Sequence, residues 1–254
     1  MLNKSSKVFA RNFLFKASLF LLCILCFGCA ASEKQTVKGA YDEAYALYGQ
    51  KSYLRAKTRF EDIILMDPLN KYAVLSELHL AEIMYEEEDY DSSLVHYEEY
   101  LRLNPKADEY EYIKYRIAMC HFGMIATYDR DQTETELALK DFRDYFNAYP
   151  DGKYLDEIKS STDHAMAVYL RSEYNVSEFY YKMDKYEAAV TRCDNILMKH
   201  KKGDYLEETY LILVKSLDKL SKEDRLLVVY EEYLKRFPEG RLQEELSGVM
   251  KDRS

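Results

Sequence analysis

Proline closes a fixed residue pattern four times in this chain, and that pattern leaves few folds open. Pro68, Pro105, Pro150 and Pro238 end the segments ILMDP, LRLNP, FNAYP and LKRFP, and they are the only four prolines in 254 residues. Twelve positions ahead of them stand Ala56, Ser93, Ala138 and Leu226. Eight ahead stand Phe60, Tyr97, Phe142 and Tyr230, and five ahead stand Ile63, Tyr100, Tyr145 and Tyr233. The frame fits a fifth time with Lys201 in the proline slot, which places Ala189, Cys193 and Ile196. Residues at i, i+4 and i+7 share one helical face. Each segment therefore predicts an amphipathic helix with a stripe of small, aromatic and aliphatic groups. Proline, which lacks an N–H, ends it.

Each such helix has a partner ahead of it. Ala44 and Leu47, Ala81 and Met84, and Ser177 and Tyr180 occupy matching places, and Tyr53, Tyr90 and Tyr186 sit three residues before the small residue of the following helix. The pairs resemble tetratricopeptide units, which stack because a lone helical hairpin cannot bury its apolar face. The expectation is an all-α tetratricopeptide-repeat solenoid of five helix-turn-helix units.

The spacing is uneven. Pro68 to Pro105 is 37 residues, near the usual repeat of about 34, whereas Pro105 to Pro150 is 45. The surplus falls at TYDRDQTETEL, residues 127–137, between the two helices of the third unit. Thr133 and Glu136 there have the spacing of a capping box. Asp129 and Asp131 suggest a calcium loop, but no glycine holds the sixth position and Lys140 stands where the bidentate acid belongs. From Pro150 to Tyr186 runs a long helical stretch, with an expected apolar face through Ile158, Ala165, Val168, Ser172, Val176 and Phe179. It would join three N-terminal units, 37–150, to two C-terminal units, 151–248.

The N-terminus reads as a leader. Lys4, Lys7, Arg11 and Lys16 precede an apolar run from about residue 17 to 27, too short for a bilayer span of roughly 20 residues. A charged n-region, short apolar core and small-residue exit make a secretory signal over 1–28. Cys29 follows Gly28 and resembles the lipid-accepting cysteine of a bacterial lipoprotein, with 29–36 as a lipidated start and polar tether. Cys26 stands where such signals usually carry leucine, and an ordinary secretory leader is the alternative. Several acyl chains on Cys29 would hold the protein to a membrane, since each buried methylene adds about 0.8 kcal/mol. Ala30 after the cysteine, instead of aspartate, resembles the outer-membrane sorting pattern.

Without residues 1–28 the chain keeps 32 Lys and Arg against 45 Asp and Glu, a net charge of −13. Such acidity argues against nucleic acid as a partner. Cys120 and Cys193 are too few for a disulfide framework and are expected to be small buried hydrophobes. His79, His96, His121, His164 and His200 form no H-E-x-x-H pair, and neither a phosphate-cradling glycine loop nor a G-x-S-x-G elbow occurs. No catalytic set, metal site or cofactor is expected.

The signal, the five units, the segment DRDQTETELALKDFRDYFNAYPDGKY and above all AVYLRSEYNVSEFYYKMDKYEAAVTRCDNIL resemble the BamD family, outer-membrane lipoproteins of the β-barrel assembly machinery. The resemblance covers essentially all of the chain after the leader. It implies a non-enzymatic scaffold on the periplasmic face of the outer membrane, lipid-anchored, whose C-terminal half docks on the POTRA domain of a BamA-like barrel protein. The N-terminal half would receive segments of unfolded outer-membrane proteins, and other Bam lipoproteins are further partners. Arg192 matches the family arginine tied to the BamA contact, and Tyr180 and Tyr181, twelve and eleven residues earlier, are further candidates for that contact. Tyr41, Tyr45, Tyr48, Tyr72 and Tyr85 are candidates for lining a peptide groove, because a tyrosine ring offers apolar area and its hydroxyl reaches a partner's backbone. A tetratricopeptide lipoprotein serving as adaptor for cell-wall or secretion machinery is the alternative reading.

Overall fold

A computed structural model describes residues 36–251; the expected leader, Cys29 and the tether as far as residue 35 lie outside the described residues. Among the described residues the regular elements are all helices: α1 Val37–Gly49, α2 Tyr53–Met66, α3 Lys71–Glu86, α4 Tyr90–Leu103, α5 Tyr110–Gly123, α6 Thr133–Ala148, α7 Leu155–Lys182, α8 Tyr186–Lys199, α9 Leu206–Lys219, α10 Glu223–Arg236 and α11 Gln243–Lys251. They pair as five hairpins, α1 with α2 through α9 with α10, and α11 packs on α9 at the end of the stack. The chain is a tetratricopeptide-repeat solenoid. No described helix is long and apolar enough to cross a membrane.

The proline frame is the buried stripe. Ala56, Ser93, Ala138, Ala189 and Leu226 are fully buried, as are Phe60, Tyr97, Phe142 and Cys193 four positions on. Ile63, Tyr100, Tyr145, Ile196 and Tyr233 follow them into the core. One position departs from expectation. Tyr230 is only half-buried, and its neighbour Val229 takes the inner place. The two cysteines, Cys120 and Cys193, are buried free thiols, and burial pushes the Cys120 thiol up to about 11.

Four of the five hairpins turn in the same way. Lys51, Glu88, Asp184 and Ser221 adopt left-handed backbone with φ of 57°, 61°, 55° and 54°. The next amide in each case donates back to the carbonyl five residues earlier, as Ser52 to Leu47, Asp89 to Met84, Lys185 to Tyr180 and Lys222 to Leu217. This closure satisfies the helix-end carbonyls. The Glu86-Glu87-Glu88-Asp89 run thus forms a turn, in which Asp89 caps α4 by accepting from the Ser92 amide.

The third hairpin instead opens into a loop over residues 124–132. The capping box expected at Thr133 is not formed. Thr133 is the first helical residue, and its amide donates to Asp131 Oδ1 at 2.9 Å. Asp129 Oδ1 likewise accepts from Thr127 Oγ1 at 2.6 Å. Both carboxylates serve the turn.

Helix α7 spans 28 residues, about 42 Å at 1.5 Å per residue. Its buried residues are Ile158, Ser161, Ala165, Leu170 and Ser177. The expected stripe held as far as Ala165 and then turned away, because the first half packs with α5 and α6 and the second with α8 and α9. Val168, Ser172 and Val176 are half-buried and Phe179 is 58% exposed.

A repeated clasp ties two proline turns to the first helix of the hairpin that each turn closes. The Tyr145 hydroxyl donates to Glu111 Oε1 at 2.6 Å, and the same oxygen accepts the Lys153 amide at 2.7 Å. Tyr233 and the Leu242 amide share Glu207 Oε2 at 3.0 and 3.3 Å. A side chain at Gly152 would approach the Tyr145 hydroxyl to 2.6 Å, which accounts for glycine two residues after proline there.

Candidate functional site

Three groups of side chains stand out, one in the N-terminal hairpins, one below it and one in the C-terminal half. The first is an aromatic basin. Tyr41, Tyr45 and Tyr48 lie at i, i+4 and i+7 on α1 and so share one face. That face meets His79 of α3, with ring centroids 5.8, 5.2 and 5.2 Å from the imidazole. Phe60 stacks on the same imidazole at 5.2 Å, and Tyr72 lies 5.2 Å from Tyr41. The Tyr41 oxygen is 2.8 Å from His79 Nε2. Burial pushes the Tyr41 phenol up to about 12, with neighbouring Tyr45 and Asp42 adding to it. Tyr45 is 52% exposed and leaves the basin open to solvent.

Histidine is therefore the hub of the basin, which sequence reasoning did not single out. Burial lowers its pKa from 6.5 to about 4, so the folded protein holds it neutral where the unfolded chain would take up a proton. A depressed histidine pKa contributes stability that is fully present above the unfolded value and is lost as pH falls from about 6.5 towards 4. At the conversion of 1.36 kcal/mol per unit, reduced for partial exposure, the loss is about 2 kcal/mol. His79→Phe should remove it. Urea midpoints of wild type and His79→Phe, compared above pH 7 and again at about pH 4.5, should converge or cross on the acid side. Parallel pH dependences would remove His79 as the titrating group.

Tyr85, expected in the same groove, belongs to the second group. The Arg116 guanidinium lies over its ring at 3.4 Å, and Tyr90 meets it edge-on at 5.2 Å. Arg116 Nε donates to the Tyr97 hydroxyl at 2.9 Å and Nη2 to Glu82 Oε2 at 3.2 Å. Glu82 Oε1 accepts from Tyr97 at 2.7 Å and Tyr112 at 2.8 Å. Burial opposes the arginine charge, but contacts with Tyr97 and Glu82 outweigh it and its pKa is raised. A charge largely enclosed by its partners, with the Arg116 side chain 11% exposed, is a fastener between α3, α4 and α5, and Tyr85 is part of that fastener.

In the C-terminal half, Arg192 on α8 is partly exposed and faces Glu173 of α7 at 3.9 Å. That distance leaves the guanidinium fork largely free for an incoming carboxylate. Tyr180 and Tyr181 are half-buried and pack against the C-terminal core. Tyr181 meets Tyr186 at 5.7 Å, and Tyr180 meets Phe179 at 5.8 Å. Tyr180 lies seven residues beyond Glu173, about 10 Å along α7, so Arg192 and the tyrosine pair mark two points of one surface. The 124–132 loop leans on this stretch of α7. Arg171 covers the Tyr128 ring at 3.5 Å, and a cleft of 280 Å³ opens between Tyr128, Arg130, Ser172, Val176, Phe179 and Tyr180. Ser172, Val176 and Phe179, which left the α7 core stripe, line this cleft. No group of three or more potential metal ligands occurs among the described residues.

A family model described as YfiO, outer membrane lipoprotein, matches residues 33–227. The chain is 24% identical over 197 residues to outer membrane protein assembly factor BamD of Neisseria meningitidis serogroup A, covering 74% of each chain. It is 23% identical over 184 residues to the protein of that name from Rickettsia prowazekii, covering 72% of this chain and 73% of the other. Against the Vibrio cholerae protein the identity is 20% over 219 residues, covering 80% and 90%. Among solved structures, a tetratricopeptide repeat protein from Parabacteroides merdae aligns with a TM-score of 0.42 at 14% identity, covering 98% of this chain and 95% of that one.

Proposed function

Since the chain belongs to the YfiO family of outer membrane lipoproteins, we propose that it is an outer-membrane protein assembly factor of the BamD kind. On this reading it is a scaffold on the periplasmic face of the outer membrane, anchored through lipid on Cys29. It holds a BamA-like barrel protein by its POTRA domain, together with segments of unfolded outer-membrane proteins, and other lipoproteins of the same machinery join it. It performs no catalysis. The observation that carries the reading is the family match over residues 33–227, which runs from ahead of α1 into α10.

The two surfaces suit the two tasks. Strands of outer-membrane barrels alternate apolar and polar residues and carry aromatic girdles. An extended strand of this kind can lay its apolar side chains on the rings around Tyr45 while backbone groups meet the hydroxyls. Tyr41, Tyr48 and Tyr72 support those rings, with Tyr85 one step further along the stack. At the other end, Arg192 offers a planar cationic fork on an acidic chain, and Tyr180, Tyr181 and Phe179 offer apolar area nearby. Such a pairing favours a partner with a carboxylate beside an aliphatic or aromatic group.

Co-purification from detergent-solubilised membranes tests both the class and the contact. The wild-type chain should bring down a POTRA-bearing barrel protein in stoichiometric amount. Arg192→Glu should reduce that recovery at least about tenfold, since breaking one partner of an interfacial charge pair costs roughly 2–5 kcal/mol, while the far-ultraviolet circular dichroism stays that of the wild type. Wild-type recovery by Arg192→Glu would remove Arg192 from the interface, and absence of any barrel partner would overturn the assembly reading itself.

A further inference from the structure

The proline-ended turns provide an internal comparison. Three residues before proline stand Leu65, Arg102, Asn147 and Lys235, and one residue after it stand Leu69, Lys106, Asp151 and Glu239. Every turn but the first carries polar or charged groups in these slots. In the first turn, between α2 and α3, Leu65 is 80% exposed, Met66 55% and Leu69 81%. Three large aliphatic side chains thus stand in water on one short turn, whose form is fixed by the Asn70 amide donating to the Asp67 carbonyl at 3.1 Å. None of them joins a core cluster, although their neighbours Ile63 and Ile64 do.

The place of this turn matters as much as its composition. Arg59 of α2 meets Glu43 of α1 at 3.3 Å, and the Ser52 amide closes the hairpin on the Leu47 carbonyl at 3.0 Å. In that antiparallel register Val37 comes opposite Leu65. The close approach of Tyr41 to Tyr72 puts the first turn of α3 at the same end. The chain therefore enters α1 beside the apolar turn. Only seven residue steps separate Cys29 from Thr36, a reach of at most about 25 Å when fully extended.

We infer that Leu65, Met66 and Leu69 rest in the headgroup region of a phospholipid bilayer, next to the entry of the tether; the inference rests on the lipid-anchored reading given above. An acyl anchor on so short a lead confines this end of the solenoid to the bilayer surface. Exposed aliphatics confined there partition into the interface, as the apolar edge of an interfacial helix does. Lys71 follows the turn and Asp67 lies within it, and by the register above the Lys38–Asp42 ion pair of α1, at 2.6 Å, stands alongside, a mixture of charge suited to zwitterionic headgroups, which carry both phosphate and ammonium. The anchor and the turn together fix how the solenoid stands on the membrane, where lipid alone would leave it free to swing.

The chain has no tryptophan, so Leu69→Trp supplies a unique reporter at a site where the side chain touches no core. Val228→Trp, exposed on α10 at the far end, is the control. Both are expressed with their leader, purified in lipidated form and incorporated into vesicles of phosphatidylethanolamine and phosphatidylglycerol, with and without bromine-labelled acyl chains. Expected is co-flotation of both variants, with a blue-shifted emission for Leu69→Trp and quenching at least about twofold that of Val228→Trp, as an indole at the headgroup and acyl boundary gives. Co-flotation with equal, water-like emission from the two variants would overturn the membrane contact and leave the anchor standing. Failure to float would overturn the anchor, and the contact with it.

Discussion

Replacing Glu82 with leucine is expected to lower the unfolding free energy by about 3–5 kcal/mol, the usual cost of removing one partner from a buried ion pair. Glu82 receives three donors, from Tyr97, Tyr112 and Arg116. Without it the guanidinium would remain enclosed among Tyr85, Tyr97 and Tyr112 with no counter-charge inside the fold. The next carboxylate, Glu86, lies 4.0 Å away and is well exposed, so water screens what it can offer. A second substitution distinguishes the charge from the packing. In the double variant Glu82→Leu with Arg116→Met, the stranded charge is gone and much of the lost stability should return, because an apolar pair of similar volume replaces a buried ionic one at little net cost. Urea unfolding of the two variants and wild type is the measurement. A cost under about 1 kcal/mol for the single variant would mean that Arg116 reaches solvent when Glu82 is absent.

The second large effect is expected at Phe142, whose ring is fully buried in α6. It packs beside Ala138, Ala165 and Ile158 in the cluster that joins α5, α6 and α7, with the Phe122 ring 6.0 Å away. Phe142→Ala removes most of that ring's contacts and leaves a cavity, for which about 3–5 kcal/mol is usual. In a solenoid the loss has a second expression. Each unit is stabilised mainly by its neighbours, so weakening the third hairpin weakens the coupling between the hairpins on either side. Unfolding should lose its single sharp transition, and tyrosine fluorescence and circular dichroism should give non-coincident curves. Coincident curves with an unchanged midpoint would show that the ring contributes less than its burial implies.

What could be read from the sequence was the part where residue size alone decides. A small residue, an aromatic and an aliphatic at fixed distance ahead of proline can meet only one environment, and Ala56, Phe60 and Ile63 are buried together as that spacing requires. Where backbone conformation decides, the letters were silent. Lys51, Glu88, Asp184 and Ser221 hold the left-handed turns, positions where glycine would have announced itself. The α7 face was legible only to Ala165, since a helix that serves two sets of neighbours turns its buried side partway along. That turn put Val176 and Phe179 into the cleft beside Tyr128. Of the candidate residues, Tyr41, Tyr45, Tyr48 and Tyr72 do gather, because helical spacing and the hairpin bring them to one place. His79 was missed because nothing in its sequence neighbourhood marks it as their centre. Tyr85 was misplaced for a related reason: it lies six residues beyond His79, where α3 has turned it towards Arg116 of α5.

The long helix α7 has a consequence for anything gripped at the two ends of the molecule. It contributes Ile158 and Ala165 to one core and Leu170 to the next, so the halves of the stack share a strut instead of being joined by a string. An unbroken helix stretches and bends very little at thermal energies. Were one partner seated near Tyr45 and another near Arg192, the joint between the third and fourth hairpins would add little play to the span between them, as a rigid handle keeps two tools in step.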